Sequence, residues 1–193
     1  GDTDYQTFYD GQINTSSFEV GESGVVTGSL ALVAEALTPG TAVIASQTDA
    51  AADTSTPLSA VNDVVRIWVD GVDSLCTVKS GGFEFSNNMQ EDRAAGCEGA
   101  TYANGDITLS GALSARLPID ASTLWRDKYL AGTKVGLAFE LSHGGGEYTI
   151  IEVPQSVITE HEIADGSSVV ANSEMTYTAE EDSRGFTAVI YRN

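Results

Sequence analysis

A chain of 193 residues can build one sizeable core, or two small ones that share an interface. Its 9 Lys and Arg stand against 28 Asp and Glu, a formal charge of -19 that repels phosphate and excludes tight binding to DNA or an anionic membrane. Hydrophobic residues make up 41% of the chain, which excludes bulk disorder.

Taken in order, the predicted elements follow a period of two. "QINTSSFEV" (12–20) and "GVVTGSLALV" (24–33) alternate, and "VVRIWV" (64–69) and "TVKSGGFEF" (77–85) continue the pattern after a long gap. "DITLSGALSARL" (106–117), "KVGLAFELS" (134–142), "YTIIEVPQSVI" (148–158), "EMTYTAE" (174–180) and "FTAVIYR" (186–192) complete the set. Many short strands separated by Gly, Asn and Asp clusters predict an all-β sandwich or barrel. Asp70-Gly71 reads as a hairpin turn, and Pro154, which has no N–H, implies an edge, a bulge or a bend.

One stretch breaks the pattern. "PIDASTLWRDKYLAG" offers Asp120 as N-cap and Gly132 as stop, so a single flanking helix is expected at about 121–130. Leu124, Trp125, Lys128 and Tyr129 fall at helical spacing, which makes Trp125 and Tyr129 the expected core anchors. Between residues 35 and 61 nothing alternates, and the stretch reads as a surface connection. It divides a first β-unit (1–34) from a main one (62–193). The two resemble each other: Phe18-Glu19-Val20 echoes Phe83-Glu84-Phe85, and "VVTGSLALVA" echoes "ITLSGALSARL".

Groups for catalysis are scarce. The only histidines are His143, in the turn "SHGGGEY", and His161, in "TEHEIAD". On a strand His161 and Glu162 point to opposite faces, so no metal set converges there. "DGVDS" and "QTDAAADTST" lack the full ladder of oxygen ligands that calcium requires. No enzyme and no cofactor are expected. Two cysteines, Cys76 and Cys97, are too few for a disulfide scaffold and read as small buried apolar groups. No apolar run reaches the length that a bilayer requires, so no membrane partner is expected.

The segment between Phe83 and Leu117, "FEFSNNMQEDRAAGCEGATYANGDITLSGALSARL", separates two strands by a polar loop too long for a hairpin turn. A strand ends in Asn87-Asn88, an acidic and Gly-rich loop follows, and then comes a strand with Ser110-Gly111 and Leu113. A Leu-Trp-x-x-Tyr-Leu helix, "GLAFEL", a Gly turn and a strand through Val153-Pro154 complete the series. In this order, and with "FYDGQINTSSFEVGESGVVTGSLALVA" upstream, the sequence resembles the major tail tube proteins of long-tailed, siphovirus-type bacteriophages.

The resemblance implies a β-sandwich with one helix and a structural virion protein that stacks in rings, hexameric ones, to carry viral DNA. It implies contacts with copies of itself and with tape measure, terminator and distal tail proteins, and only transient, non-specific contact with DNA in the lumen. It places the protein in the phage tail, assembled in the host cytoplasm. It also implies more sequence ahead of the first matching strand, which agrees with Gly1 in place of Met.

On this reading the 90–104 loop is an arm that orders against another subunit. Gln90, Glu91, Asp92 and Arg93 would set polar register, and Gly96 and Gly99 would allow close backbone approach. Ile107, Leu109 and Leu113 of the next strand would join the contact, with that strand and "YTIIEVPQSVI" as sheet edges. The competing reading is an extracellular acidic β-sandwich binding module, an adhesin or a carbohydrate-binding domain. It leaves the long loop unexplained, and an aromatic content of 8% gives it little stacking surface.

Overall fold

The computed structural model describes residues 5–40, 56–74, 78–93, 101–116, 119–164 and 172–193. Cys76, Cys97, Gly96 and Gly99 lie outside the described residues. In chain order the elements are β1 (Tyr5–Tyr9), β2 (Gln12–Val20), β3 (Thr27–Val33), β4 (Ala36–Gly40), β5 (Val64–Val69), β6 (Val72–Asp73) and β7 (Val78–Ser86). There follow β8 (Gln90–Asp92), β9 (Thr101–Ala103), β10 (Thr108–Arg116), α1 (Ile119–Ala131), β11 (Val135–Gly144), β12 (Glu147–Ala164), β13 (Asn172–Ala179) and β14 (Val189–Arg192). The fold is all-β with one short helix, as the alternation implies.

Two compact units interleave along the chain. One comprises residues 1–16, 29–56 and 86–107, the other 17–28, 57–85 and 108–193. Neither is a consecutive block, unlike the division expected at residues 34 and 61. In the first unit β1 pairs antiparallel with β4, from Tyr5↔Gly40 to Tyr9↔Ala36. The stretch expected to be a plain connection from residue 35 onward therefore begins with a strand. Its sequence "ALTPG" hides this, because Pro39 cannot donate to a ladder and suits only a strand with a free edge.

The main sheet has the order β3-β2-β7-β10-β13-β12-β11-β5-β6, with β14 also paired to β12. In the second unit one sheet face is apolar and wholly buried. Leu109, Leu113 and Ala115 of β10, Met175 and Tyr177 of β13, Leu137 and Phe139 of β11, and Val153 and Ile158 of β12 all point there. Phe139 lies on β11, four places from β7 and five from β2 in the sheet, yet its ring meets Phe18 edge-on at 5.7 Å, and Phe18 stacks on Phe83 at 5.4 Å. Only a sheet that curls over its own inner face brings these rings together. Each large apolar side chain buried there contributes about 1.5–3 kcal/mol relative to exposure.

Close packing across the curl depends on absent side chains. Tyr177 reaches over β10 and donates its hydroxyl to the Gly82 carbonyl of β7 at 2.9 Å. A Cβ on Gly111 would lie 2.5 Å from that hydroxyl, so only glycine lets the bond form. Burial also pushes the Tyr177 hydroxyl far above its ordinary pKa.

Pro154 occupies a bulge. Val135 faces Ser156 and Leu137 faces Val153, so Pro154 and Gln155 together oppose Gly136. On its other side β12 pairs with β14 up to Glu152 and with β13 from Ser156 onward. The missing N–H falls where β12 changes partners.

The helix runs over Ile119–Ala131, ends in a Schellman motif and packs on β12. In that motif Thr133 N–H bonds the Lys128 carbonyl at 3.0 Å and Gly132 N–H bonds that of Tyr129 at 3.1 Å. Trp125 is 4% exposed, but Tyr129 is 37% exposed and stacks at 6.3 Å on His161. Tyr129 is therefore a rim residue rather than a core anchor. Lys128, on the same turn, pairs with Asp70 of the β5–β6 hairpin.

Trp125→Ala is expected to cost about 3–5 kcal/mol in urea unfolding, as for other buried large aromatics. Tyr129→Ala should cost roughly 1 kcal/mol or less, in line with partial burial. Equal losses at the two positions would show that the helix is oriented otherwise.

Candidate assembly surfaces

Two exposed features of the chain stand out. They lie in different units and are described separately.

In the first unit, the two ends of the long loop pair with each other. β8 and β9 form an antiparallel ladder, Gln90↔Ala103, Glu91↔Tyr102 and Asp92↔Thr101. The ends of the segment expected to order only against a partner thus form a hairpin of their own. Backbone pairing supplies this order, which needs no apolar periodicity and left no trace in the sequence. Gln90, Glu91, Asp92 and Arg93 are all exposed, with Arg93 paired to Glu91. Ile107, at the end of the same unit, is 59% exposed.

Leu109 and Leu113, in the second unit, correct the expectation for β10. Each is 1% exposed and packs in the unit's own core, so neither side chain is available to another subunit. Nor are the expected edges free. β10 lies between β7 and β13, and β12 is paired on both sides. Alternation identifies a buried face, but it does not say which strand lies next to which.

Also in the second unit, the outward residues of β2, β7, β10, β13 and β12 line a shallow groove. The alternation that buries Leu109, Leu113, Met175 and Tyr177 turns Ser110, Ala112, Glu174 and Thr178 outward. Glu19, Glu84, Glu160, Glu162 and Glu174 all contribute, and among the described residues none that lines it is Lys or Arg. Glu162 stands directly opposite Glu174 on neighbouring strands. Like charges so placed destabilise a sheet rather than support it. The outward positions carry small side chains and carboxylates, so this face is acidic, with no cation among the described residues that line it.

Sequence reasoning missed this groove, although the signal was present. The Glu of "FEV" and of "FEF" sits at the outward phase of strands whose Phe points inward.

No catalytic constellation among the described residues accompanies these surfaces. Among the described residues no group of three His, Cys, Asp or Glu side chains could hold a metal. His161 has a structural setting: its Nε2 lies 2.9 Å from the Oγ of fully buried Ser173, and Tyr129 covers the ring. Burial, and then the positive charge of Arg126, lower its pKa below 6.5. His143 sits at the β11–β12 hairpin with Nε2 2.8 Å from Thr149 Oγ1.

The fold is all-β with one short helix, and the described residues include no candidate metal site. The family model for phage tail tube proteins matches residues 1–180. The chain belongs to that family. It is a structural component of the virion's tail, one that assembles with itself and with other tail proteins, and it is not an enzyme. No curated protein matches the sequence.

His161 has a consequence for stability. Its folded pKa is depressed, so the unfolded chain binds the proton more readily. Stability should be complete above the unfolded value of about 6.5 and fall as pH drops through the folded value. Urea midpoints between pH 7.5 and 5.5 should decline for the parent and stay flatter for His161→Gln. Parallel declines would assign the effect to other groups.

Proposed function

We propose that copies of this chain close into rings, hexameric ones, that stack into the tube through which viral DNA passes, with the acidic groove facing the lumen. The observation that carries this reading is the face bearing five glutamates, with no Lys or Arg among the described residues that line it. DNA carries a charge about every 1.7 Å, and proteins hold it by neutralising phosphates with Lys and Arg. A wall with neither gives the duplex no site to stop at.

Ring closure needs strand edges that another copy can cover. β3 ends the main sheet, and its residues Thr27–Leu32 are all exposed, Leu30 by 64% and Leu32 by 67%. An uncharged, apolar edge on a chain of charge -19 is where like-charged copies can meet at least electrostatic cost. The β8–β9 hairpin is the arm that meets a neighbouring copy through Gln90, Glu91, Asp92 and Arg93, with Gly96 and Gly99 beyond them and Ile107 at its base. Tape measure, terminator and distal tail proteins complete the partners, and assembly takes place in the host cytoplasm.

Two experiments test the reading. Replacing Gln90–Asn104 by an Asn-Gly turn should leave the melting temperature close to the parent's while abolishing stacked rings and tubes in negative-stain images. A trimmed chain that assembles as readily as the parent would make the arm an ordinary loop. Tubes built from the Glu162→Lys, Glu174→Lys double variant should retain duplex DNA, with binding that falls steeply as salt rises, while parent tubes retain none. Equal retention by both would place this face outside the lumen.

A further inference from the structure

Three asparagines of the first unit, Asn14 of β2 and the pair Asn87-Asn88 that follows β7, each direct a side-chain amide at backbone beside the hairpin. Asn14 Oδ1 accepts from Met89 N–H at 3.0 Å, one residue before β8 begins. Asn87 Nδ2 donates to the Ile13 carbonyl at 2.6 Å, and Asn88 Nδ2 donates to the Asp106 carbonyl, also at 2.6 Å. Backbone bonds complete the tie: Asn87 N–H to the Asn14 carbonyl at 2.8 Å, and Gly105 N–H to the Asn87 carbonyl at 3.0 Å. The chain is thus gripped both where it enters the hairpin, at Asn87–Met89, and where it leaves, at Gly105–Asp106.

Local geometry is fitted to this grip. Asn88 has φ 46°, a conformation that Asn, Asp and Gly tolerate best. A Cβ on Gly105 would overlap the Asn88 carbonyl oxygen, so the return strand can come this close only as glycine. None of these bonds is needed to bury apolar surface. What they fix is the direction of the hairpin relative to the first half of β2, within the same unit.

We propose that Asn14, Asn87 and Asn88 are positioning residues that hold the β8–β9 hairpin in the orientation another copy of the chain receives. The inference rests on the reading that this hairpin contacts a neighbouring copy. A loop tied at only one end would lose conformational freedom on association. One tied at both ends has lost much of it already, so less of the contact energy is consumed in ordering it.

Donor and acceptor polarity supplies the test. Met89 N–H can only donate, so the Asn14 atom facing it is oxygen. The Ile13 and Asp106 carbonyls can only accept, so Asn87 and Asn88 present nitrogen. Aspartate has nearly the same shape at either position and adds the same charge. Asn14→Asp keeps the acceptor; Asn88→Asp removes the donor and sets a carboxylate against a carbonyl.

Assembly is followed by light scattering and negative-stain imaging over a concentration series, and folding by thermal melting. Asn14→Asp is expected to assemble within about twofold of the parent's threshold concentration. Asn88→Asp should need at least about tenfold more protein, because the Asp106 carbonyl loses its donor and faces a carboxylate instead. Both should melt within a few degrees of the parent. Should Asn88→Asp fail to fold, Asn88→Gly keeps the backbone conformation without the donor and should show the same assembly defect. The proposal is overturned if the two aspartate variants behave alike. It is also overturned if Asn88→Asp or Asn88→Gly assembles like the parent while the hairpin-trimmed chain does not, an outcome that leaves the tube reading intact. A trimmed chain that assembles normally removes both.

Discussion

Everything in the second unit depends on one apolar face closing on itself. Phe139 can be fully buried only because β7 opposite it offers Gly81 and because Gly111 lets Tyr177 reach the Gly82 carbonyl. A flat sheet would leave that face in water, where each of its large side chains would lose its share of hydrophobic stabilisation. Once the inner face is closed, strict alternation fixes the outer one. Position by position, the residues between the buried ones become a surface of Ser, Ala, Thr and Glu. The acidic groove is thus the reverse side of the core, and neither can be changed in register without the other.

The same alternation explains what the sequence made legible. Strands β2, β3, β5, β7, β10, β11, β12, β13 and β14 all overlap patterned segments, because a half-buried strand must alternate. The helix was legible from its stop signal and its spacing, as was Trp125. Tyr129 was not, since sharing a helical face with a buried ring does not decide how far the sheet beneath extends. Leu109 and Leu113 were assigned to a neighbour for a related reason. Period two reports that a face is buried, but the burying partner is set by strand order, and β10 happens to be central.

Pairings that rest on backbone alone were invisible. β4 carries a proline in five residues, and β8 and β9 are three residues each, with no apolar period to report. The asparagines at the root of the hairpin were visible as letters in the resemblance to tail tube proteins. Their work is done through amide geometry over sequence separations as large as 75 residues, and no local pattern encodes that.

Pro154 divides β12 in a way that affects how the chain can come apart. Before it, β12 holds β14; after it, β12 holds β13, and Pro154 itself has no N–H to give to either ladder. The β14 ladder, from Arg192 opposite Thr149 to Val189 opposite Glu152, can therefore open without disturbing a β12–β13 pair. The proline acts as a firebreak. Beyond the break lies Ser156, whose buried hydroxyl bonds the Val135 carbonyl at 2.8 Å and anchors the sheet from within. Such a boundary lets the peripheral strand yield and re-form as a separate cooperative unit.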